Sequence, residues 1–250
     1  MYSTYDALIV PTTVFLCIVF GIAAWALFRD AKGWVKQIPL IVVFVFMLIL
    51  EIIKQWRAIA SPDPYPLGHL PFNMSSYFLL WFGFAAIGWG RVREMGMMTS
   101  FCATFGFIIG FFIQPSMIVR NSTENLLTDF DAFHSYFYHL MFIQFFIFII
   151  ALDLFRPRFV IFMAAAAANI MLLVLSLIMA HTVNVNFFNF LGGTGVLAYV
   201  SDGLGLFGFT VLLFVASIIL SFIAYFGIGL PYDRLRRKWR KKEDDVPIGF

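Results

Sequence analysis

The chain has 250 residues, of which 62% are hydrophobic and 12% are charged, and its formal net charge is +3 at pH 7. With a mean hydropathy of +0.90, this composition excludes a water-soluble domain and indicates a chain that lies in the lipid bilayer. Lysine and arginine are confined to short patches at the ends of apolar runs, so the positive charge reflects membrane orientation and we predict no nucleic-acid partner.

Apolar runs of about 20 residues, the length that crosses a bilayer, recur along the chain. The first run follows Met1–Asp6, which lack the features of a cleaved secretory signal, so we expect it to persist as a helix. Helices are predicted at 8–28, 38–58, 74–90, 97–116, 134–155, 159–181 and 206–230. The predicted fold is an all-α polytopic membrane helix bundle, with seven transmembrane helices in residues 1–232 and a basic, then acidic, tail in residues 233–250.

Most basic residues fall in three predicted turns or in the tail: Arg29, Lys32, Lys36, Arg91, Arg93, Arg156, Arg158 and the run 234–242. If the chain crosses the membrane seven times, these residues share one side, and only Lys54, Arg57 and Arg120 lie toward the other. Because basic residues concentrate in cytoplasmic segments, we predict an external N-terminus and a cytoplasmic C-terminus. A six-helix arrangement would scatter the basic residues over both sides.

The four histidines, His69, His134, His139 and His181, map to the outer third of the predicted bundle or to its outer loops. His134 and His139 are five residues apart, so they do not share a helix face. We interpret His69 and His134 as interfacial side chains. His139 lies inside the fifth helix, where a polar side chain is costly and is usually retained for a partner or a function.

Polar residues also occur within other predicted helices. Glu51 and Lys54 are three residues apart and can pair along one face of the second helix. This pair either orients the helix or holds a lipid headgroup. Asn169 and Gln144 are typical of interhelical hydrogen bonds, and Asn169 is also a candidate for substrate contact.

Two outer segments carry further candidates. Asn73 and Ser75 precede or begin the third helix, where they provide either a helix cap or, through Ser75, a hydroxyl nucleophile. The long connection 182–205 contains Asn186 and Asn189, and we expect it to fold back into the outer mouth of the bundle. The sequence has no serine-hydrolase elbow, zinc-protease motif or phosphate-binding glycine loop, and we predict no cofactor.

Several of these features together resemble the YwaF group of bacterial integral membrane proteins, a family that includes transmembrane protein 164-like proteins. The segments that carry the resemblance are Glu51 with Lys54, Leu70-Pro71-Phe72, Phe133 to His139, and Asn186 to Leu191. The resemblance implies a bacterial plasma-membrane protein that performs acyl transfer on phospholipids. The family's cysteine falls on Ser75 and its histidine on His139, whereas the expected proline- and tryptophan-rich segment before the seventh helix is replaced by 203–208.

The first functional hypothesis is therefore acyl transfer or lipid hydrolysis at the outer leaflet. Ser75 would attack an acyl ester, His139 would act as base, and Asn73 would steady the oxyanion. Candidate substrate contacts are Glu51, Lys54, His69, Asn73, Asn169, Asn186 and Asn189. We expect Ser75, His139 and the loop with Asn186 and Asn189 to converge on one cavity walled by phenylalanines of the third, fourth and fifth helices.

Two alternatives remain open. In a zinc-dependent lipid hydrolase, similar to seven-helix ceramidases and progestin-receptor-like proteins, His69, His139 and His181 with Asp129 or Asp131 would hold the metal. In a non-catalytic membrane subunit, the outer loops would bind membrane lipids or a partner membrane protein. The serine at the position of the family's cysteine favours this last hypothesis.

Overall fold

A computed structural model of the protein describes residues 4–70, 72, 74–113, 126–193 and 196–244, apart from some side chains near the ends of these ranges. The described residues are helical or irregular and contain no strand, which confirms the all-α fold class. The helices are α1 (Thr4–Phe28), α2 (Ile38–Ala60), α3 (Met74–Ile87), α4 (Gly90–Ile113), α5 (Phe130–Ala151), α6 (Phe159–Val183), α7 (Val196–Phe222) and α8 (Leu230–Asp244).

Within the described residues, six helical stretches are long and apolar enough to cross a membrane: Pro11–Phe28, Gly33–Ala60, Gly90–Phe112, Phe130–Ala151, Phe159–Val183 and Leu197–Lys238. These are the helices of an integral membrane protein. The remaining apolar helix, α3, has 14 residues. At a rise of about 1.5 Å per residue it covers roughly 21 Å, less than a hydrocarbon core of about 30 Å.

Helices α4 and α5 begin earlier than predicted. The side chain of Asp129 accepts a hydrogen bond from the backbone N–H of Asp131 at 2.9 Å and caps α5, which therefore begins at Phe130. Helix α4 begins at Gly90, because the polar segment from Arg91 to Glu94, interpreted as a turn, forms its first turn of helix. The polar residues in these segments therefore belong to helix ends near the membrane surface, although we interpreted them as turns.

The end of the chain is also more helical than predicted. Residues 196–204, expected in the outer connection, form the first part of α7. Gly205 breaks the helix with φ 66° and ψ 166°, so the predicted start at residue 206 coincides with the second part. A π-helical segment, Ile223–Gly229, then joins α7 to α8, so the predicted boundary between residues 232 and 233 falls inside a helix.

Polar contacts gather several helix ends at one end of the bundle. Arg158 donates to Glu94 at 2.9 Å, which joins the α5–α6 turn to the start of α4. Arg236 of α8 pairs with Asp153 in the α5–α6 turn. The tail is thus held against that turn, and Tyr232 adds a hydrogen bond to the Ile150 carbonyl at 2.8 Å.

The α1–α2 turn reaches the same end. With its amide oxygen facing Arg93, Gln37 accepts hydrogen bonds from Nη1 and Nη2 at 2.9 and 3.2 Å. We call this end, formed by residues 29–37, 88–94, 152–158 and α8, the basic end.

Aromatic packing forms the centre of the bundle between α3, α4 and α5. Phe82 of α3 stacks on Phe145 of α5 with ring centroids 4.0 Å apart, and Phe101 of α4 stacks on Phe155 at 4.1 Å. A Cβ atom at Gly96 would lie 2.5 Å from the backbone nitrogen of Ala85. The glycine therefore allows α3 and α4 to approach each other closely.

Candidate functional site

A cluster of polar side chains lies on α2 at the end opposite the basic end. Glu51, Lys54 and Gln55 are spaced three and four residues apart and therefore share one face. Lys54 donates to one Glu51 carboxylate oxygen at 2.7 Å, and Gln55 donates to the other at 2.8 Å. The predicted interaction between Glu51 and Lys54 is confirmed.

Two other segments complete this cluster, which we call the outer polar cluster because the predicted topology assigns it to the outer side. Tyr65, in the α2–α3 connection, donates its hydroxyl to Gln55 at 2.6 Å, and Gln55 donates to the His69 carbonyl at 3.0 Å. His134 of α5 brings Nε2 to 3.6 Å from Glu51. The Glu51 side chain is only 13% exposed. The cluster therefore ties the α2–α3 connection to α2 through Gln55, and it brings α5 to α2 at Glu51.

The charge of this carboxylate acts on its surroundings. Burial and the nearby negative charge of Glu51 raise the pKa of Tyr65, although its hydrogen bond to Gln55 opposes that change. Arg57, one turn beyond Lys54, places its guanidinium 4.7 Å from the centre of the Phe130 ring. The aromatic start of α5 thus covers the cationic end of α2.

His139 lies in a different environment. Its Nδ1 is 2.7 Å from the Ser135 carbonyl, and its ring stacks on Phe107 with centroids 5.3 Å apart. If Nδ1 carries the proton, Nε2 is an acceptor. His134 faces Glu51 instead, so the prediction that the two histidines occupy different faces is confirmed.

The predicted nucleophile cannot be placed against this histidine. Asn73 and the side chain of Ser75 lie outside the described residues. The hydrogen bond between Ser75 and His139 therefore stays a prediction, as does the oxyanion role of Asn73.

A cavity of about 290 Å³ lies inside the bundle between α3, α4, α6 and α7. It exists because α4 presents Ala103, Gly106 and Gly110 to it, small residues spaced three and four apart on one face. A Cβ atom built on Gly110 would meet nothing within 4 Å. The sequence signal that could have located this cavity is the glycine pair at positions 106 and 110.

Few polar groups line the cavity. Asn169 projects from α6 and Ser217 from α7, so the candidate Asn169 does lie at a pocket. Trp81 lines the cavity from α3, is 8% exposed, and has a buried indole nitrogen without a hydrogen-bond partner among the described residues. The nitrogen atom itself is inaccessible, so the N–H does not open onto the cavity.

The connection between α6 and α7 closes part of the cavity. Phe188 and Phe190 line it, and Phe188 adopts φ 52°, a left-handed conformation that is strained for an aromatic residue. Asn186 donates to the Gly192 carbonyl at 2.9 Å and accepts from the Leu191 N–H at 2.8 Å. The predicted fold-back is present, and the side chain of Asn186 is engaged in closing its own loop.

The cavity differs from the predicted one in its walls. Among the described residues, α6 and α7 line it together with α3 and α4, and neither α5 nor His139 does. Phe107 and Phe142 pack around the His139 ring, so this histidine belongs to the aromatic core. His139 therefore does not line this cavity, and the convergence of Ser75, His139 and the outer loop on one cavity stays a prediction.

The zinc arrangement is not formed. The proposed ligands His69, His139, His181, Asp129 and Asp131 all belong to the described residues, within which no group of three or more His, Cys, Asp or Glu could hold a metal ion. His139 packs among aromatic rings, whereas His181 is exposed in the last turn of α6. These separate locations explain why the ligands do not meet.

Fold and site together define an all-helical integral membrane protein with an apolar cavity inside its bundle and a buried ion-pair cluster at one end. Comparison of the chain with protein-family models, with curated proteins and with solved structures gives no match. The resemblance to the YwaF group therefore stays a prediction.

Proposed function

We propose that the protein binds one acyl chain of a membrane lipid in the cavity between α3, α4, α6 and α7. The observation that carries this proposal is the cavity itself, whose volume of about 290 Å³ lies inside the bundle behind mostly apolar walls. Small-molecule pockets span roughly 300–1,000 Å³, so this space suits a single chain and not a whole phospholipid.

The polar groups of the cavity suit the ester end of such a chain. An ester carbonyl accepts hydrogen bonds, and the Asn169 amide and the Ser217 hydroxyl at the cavity wall can donate them. A hydrogen bond of this kind contributes about 0.5–1.5 kcal/mol. The proposed function is therefore that of a non-catalytic membrane protein that binds a lipid. A partner membrane protein is the second class of ligand that this proposal includes.

The same proposal includes a topology of seven crossings, with the N-terminus outside and the C-terminus in the cytoplasm of a bacterium. It is supported by the contacts of the basic end, because an odd number of crossings brings the three basic turns and α8 together. Helix α3 then counts as a crossing despite its 14 residues. In this orientation the outer polar cluster and the α6–α7 connection face the outer leaflet.

A photo-crosslinking lipid tests the proposal directly. We expect a phosphatidylcholine with a diazirine on its acyl chain to label cavity residues of α4 and α7, mapped by peptide mass spectrometry. Gly110→Leu should remove this labelling, since a side chain there enters open space inside the cavity.

Gly203→Leu is the matched control, because Gly203 is also a helical glycine with nothing within 4 Å of its Cβ position, but it does not line the cavity. This variant should label as the wild type does. Labelling that is unchanged by Gly110→Leu, or confined to the outer surface of the bundle, would contradict the proposal.

Acyl transfer by Ser75 and His139 is the second candidate, in keeping with the resemblance to the YwaF group. It is favoured by the contact of His139 Nδ1 with the Ser135 carbonyl, which leaves Nε2 in the form a general base requires. Fatty-acid release from phosphatidylcholine by the purified protein, abolished in both Ser75→Ala and His139→Asn, would support it. If the wild-type protein releases no fatty acid, acyl transfer is refuted and lipid binding remains the proposed function.

A further inference from the structure

A second apolar feature lies on the outside of the bundle, between α2, α3 and the start of α4. This groove has a volume of about 630 Å³ and is separate from the inner cavity. Its floor follows one face of α3 from Ser76 to Ile87, a separation of eleven residues or roughly 16 Å along the helix axis. Gly83 allows α2 and α3 to pack closely where both line the groove, because a Cβ atom at this position would lie 3.0 Å from the Phe44 ring of α2.

The groove runs toward the basic end. Phe44 lines it, and Gln37, the residue directly before α2, lies seven positions earlier in the sequence. Gln37 accepts the hydrogen bonds of the Arg93 guanidinium. Trp89, which is 83% exposed, lines the same end of the groove, where tryptophan is typical of the membrane interface.

The charge of Arg93 has no carboxylate partner among the described residues. In the described part of the chain, Arg93 bonds to a neutral amide and forms no ion pair with a carboxylate. The nearest acidic residue in sequence, Glu94, is already paired with Arg158 at 2.9 Å. An arginine at the end of an apolar groove combines a binding place for a hydrocarbon chain with one for a phosphate.

We propose that the groove binds an anionic phospholipid, with one acyl chain along α3 and its phosphate on Arg93. The headgroup lies at the membrane interface between the N-terminal end of α2 and the start of α4, and Trp89 covers the glycerol region. This site does not depend on the inner cavity, because no residue lining the groove lines the cavity.

Native mass spectrometry of the purified chain tests the site with two lipids of identical acyl chains, phosphatidylglycerol and phosphatidylcholine. The inner cavity contributes equally to both, so their difference reports the headgroup. We expect about tenfold tighter binding of phosphatidylglycerol, because the choline ammonium of phosphatidylcholine competes with Arg93 for the phosphate and leaves that lipid without net negative charge, and we expect loss of the preference in Arg93→Gln.

Arg237→Gln is the matched control for general attraction of anionic lipid to the basic end. It removes the same charge from an exposed arginine of α8, and it should retain the preference. Equal binding of the two lipids to the wild type, or an equal loss in both arginine variants, would overturn the proposal.

Arg93→Gln also removes a contact between the α1–α2 turn and α4, and a loss of binding in this variant can therefore come from misfolding. A second variant, on the groove floor, tests the site without removing that contact. Leu80 is 49% exposed and lines the groove, and Leu80→Trp fills this space without disturbing the core. Phosphatidylglycerol should bind this variant several-fold more weakly. Unchanged binding would place the lipid elsewhere and refute the site.

Discussion

Glu51 lies inside a membrane-spanning helix with a hydrogen-bond donor on each of its two carboxylate oxygens. Lys54 and Gln55 each donate to one carboxylate oxygen, and His134 lies 3.6 Å away. A buried carboxylate loses several kcal/mol of hydration, which only such partners restore. Removing Lys54 therefore leaves a worse state than removing both charges.

A double-mutant cycle measures this coupling. We expect Lys54→Leu alone to lower the free energy of unfolding by about 3 kcal/mol, because it leaves a carboxylate without its counter-ion in low dielectric. The double variant with Glu51→Leu should be more stable than that single variant. Thermal unfolding of the detergent-solubilised protein provides the readout, and simple additivity of the two single changes would show that the pair is uncoupled.

The exposed pair Arg29–Asp30 is the control for this cycle. Their side chains are 51% and 89% exposed, so water screens the interaction. Asp30→Asn should change stability by less than about 1 kcal/mol.

At the scale of single residues, the sequence predicts contacts along one helix and misses contacts between segments. Glu51 and Lys54 were found because their spacing places them on one face. The participation of Gln55, Tyr65 and His134 depends on how the α2–α3 connection and α5 pack, which no local pattern encodes. The interhelical hydrogen bond expected of Gln144 was wrong, since both atoms of its buried amide lack a partner within the described residues.

Helix α4 shows how glycines on one helix serve two purposes. At Gly96 a Cβ atom would lie 2.5 Å from the Ala85 backbone, whereas at Gly110 it would meet nothing within 4 Å. The first glycine permits close packing, and the second leaves room for a ligand.

Alanine substitution should separate these two roles. Gly96→Ala forces α3 and α4 apart, because backbone atoms cannot yield as a flexible side chain can, and we expect a loss of about 1–3 kcal/mol. Gly110→Ala should keep or slightly raise stability. Thermal unfolding of both variants in the same detergent tests the contrast, and equal behaviour would show that α3 and α4 do not touch at Gly96.

The break in α7 makes a prediction of the same kind. Gly205 has φ 66° and ψ 166°, a conformation essentially restricted to glycine, so Gly205→Ala should cost about 1–3 kcal/mol. Gly203, two residues earlier, is helical and open, and Gly203→Ala should instead gain up to roughly 1 kcal/mol. Melting temperatures that move in the same direction in both variants would contradict a fixed break at Gly205.

Elements were predictable in number and order but less so at their ends. Apolar length located every helix of the bundle, because the bilayer demands long apolar runs. The first part of α7 and the whole of α8 were missed, since their polar or glycine-rich residues are typical of loops. Their helical state depends on packing and on continuity with α7, for example through the contact of Arg236 with Asp153.

For the whole molecule, basic residues and helix packing lead to the same arrangement by independent routes. The sequence assigns the basic turns to one side by charge alone. The contacts Arg158–Glu94, Arg93–Gln37 and Arg236–Asp153 assemble those turns through geometry. Packing treats the two sides of the membrane alike, whereas the charge bias predicts that the basic end faces the cytoplasm.

Cysteine labelling in intact cells tests that orientation. Single cysteines replacing Lys36, Arg91, Arg156 or Lys241 should resist an impermeant thiol reagent added outside, because the basic end is predicted to face the cytoplasm. A cysteine at Leu127, which is 82% exposed at the opposite end, should react.

The native thiols give little background in this experiment, since Cys17 and Cys102 are buried. Permeabilising the cells should make the four protected positions reactive, which shows that protection comes from the membrane and not from folding. Outside labelling of two or more of them would refute the seven-crossing topology with an external N-terminus. In the reversed orientation, the outer polar cluster and the α6–α7 connection would face the cytoplasmic leaflet. A lipid that enters the inner cavity past this connection would then come from that leaflet.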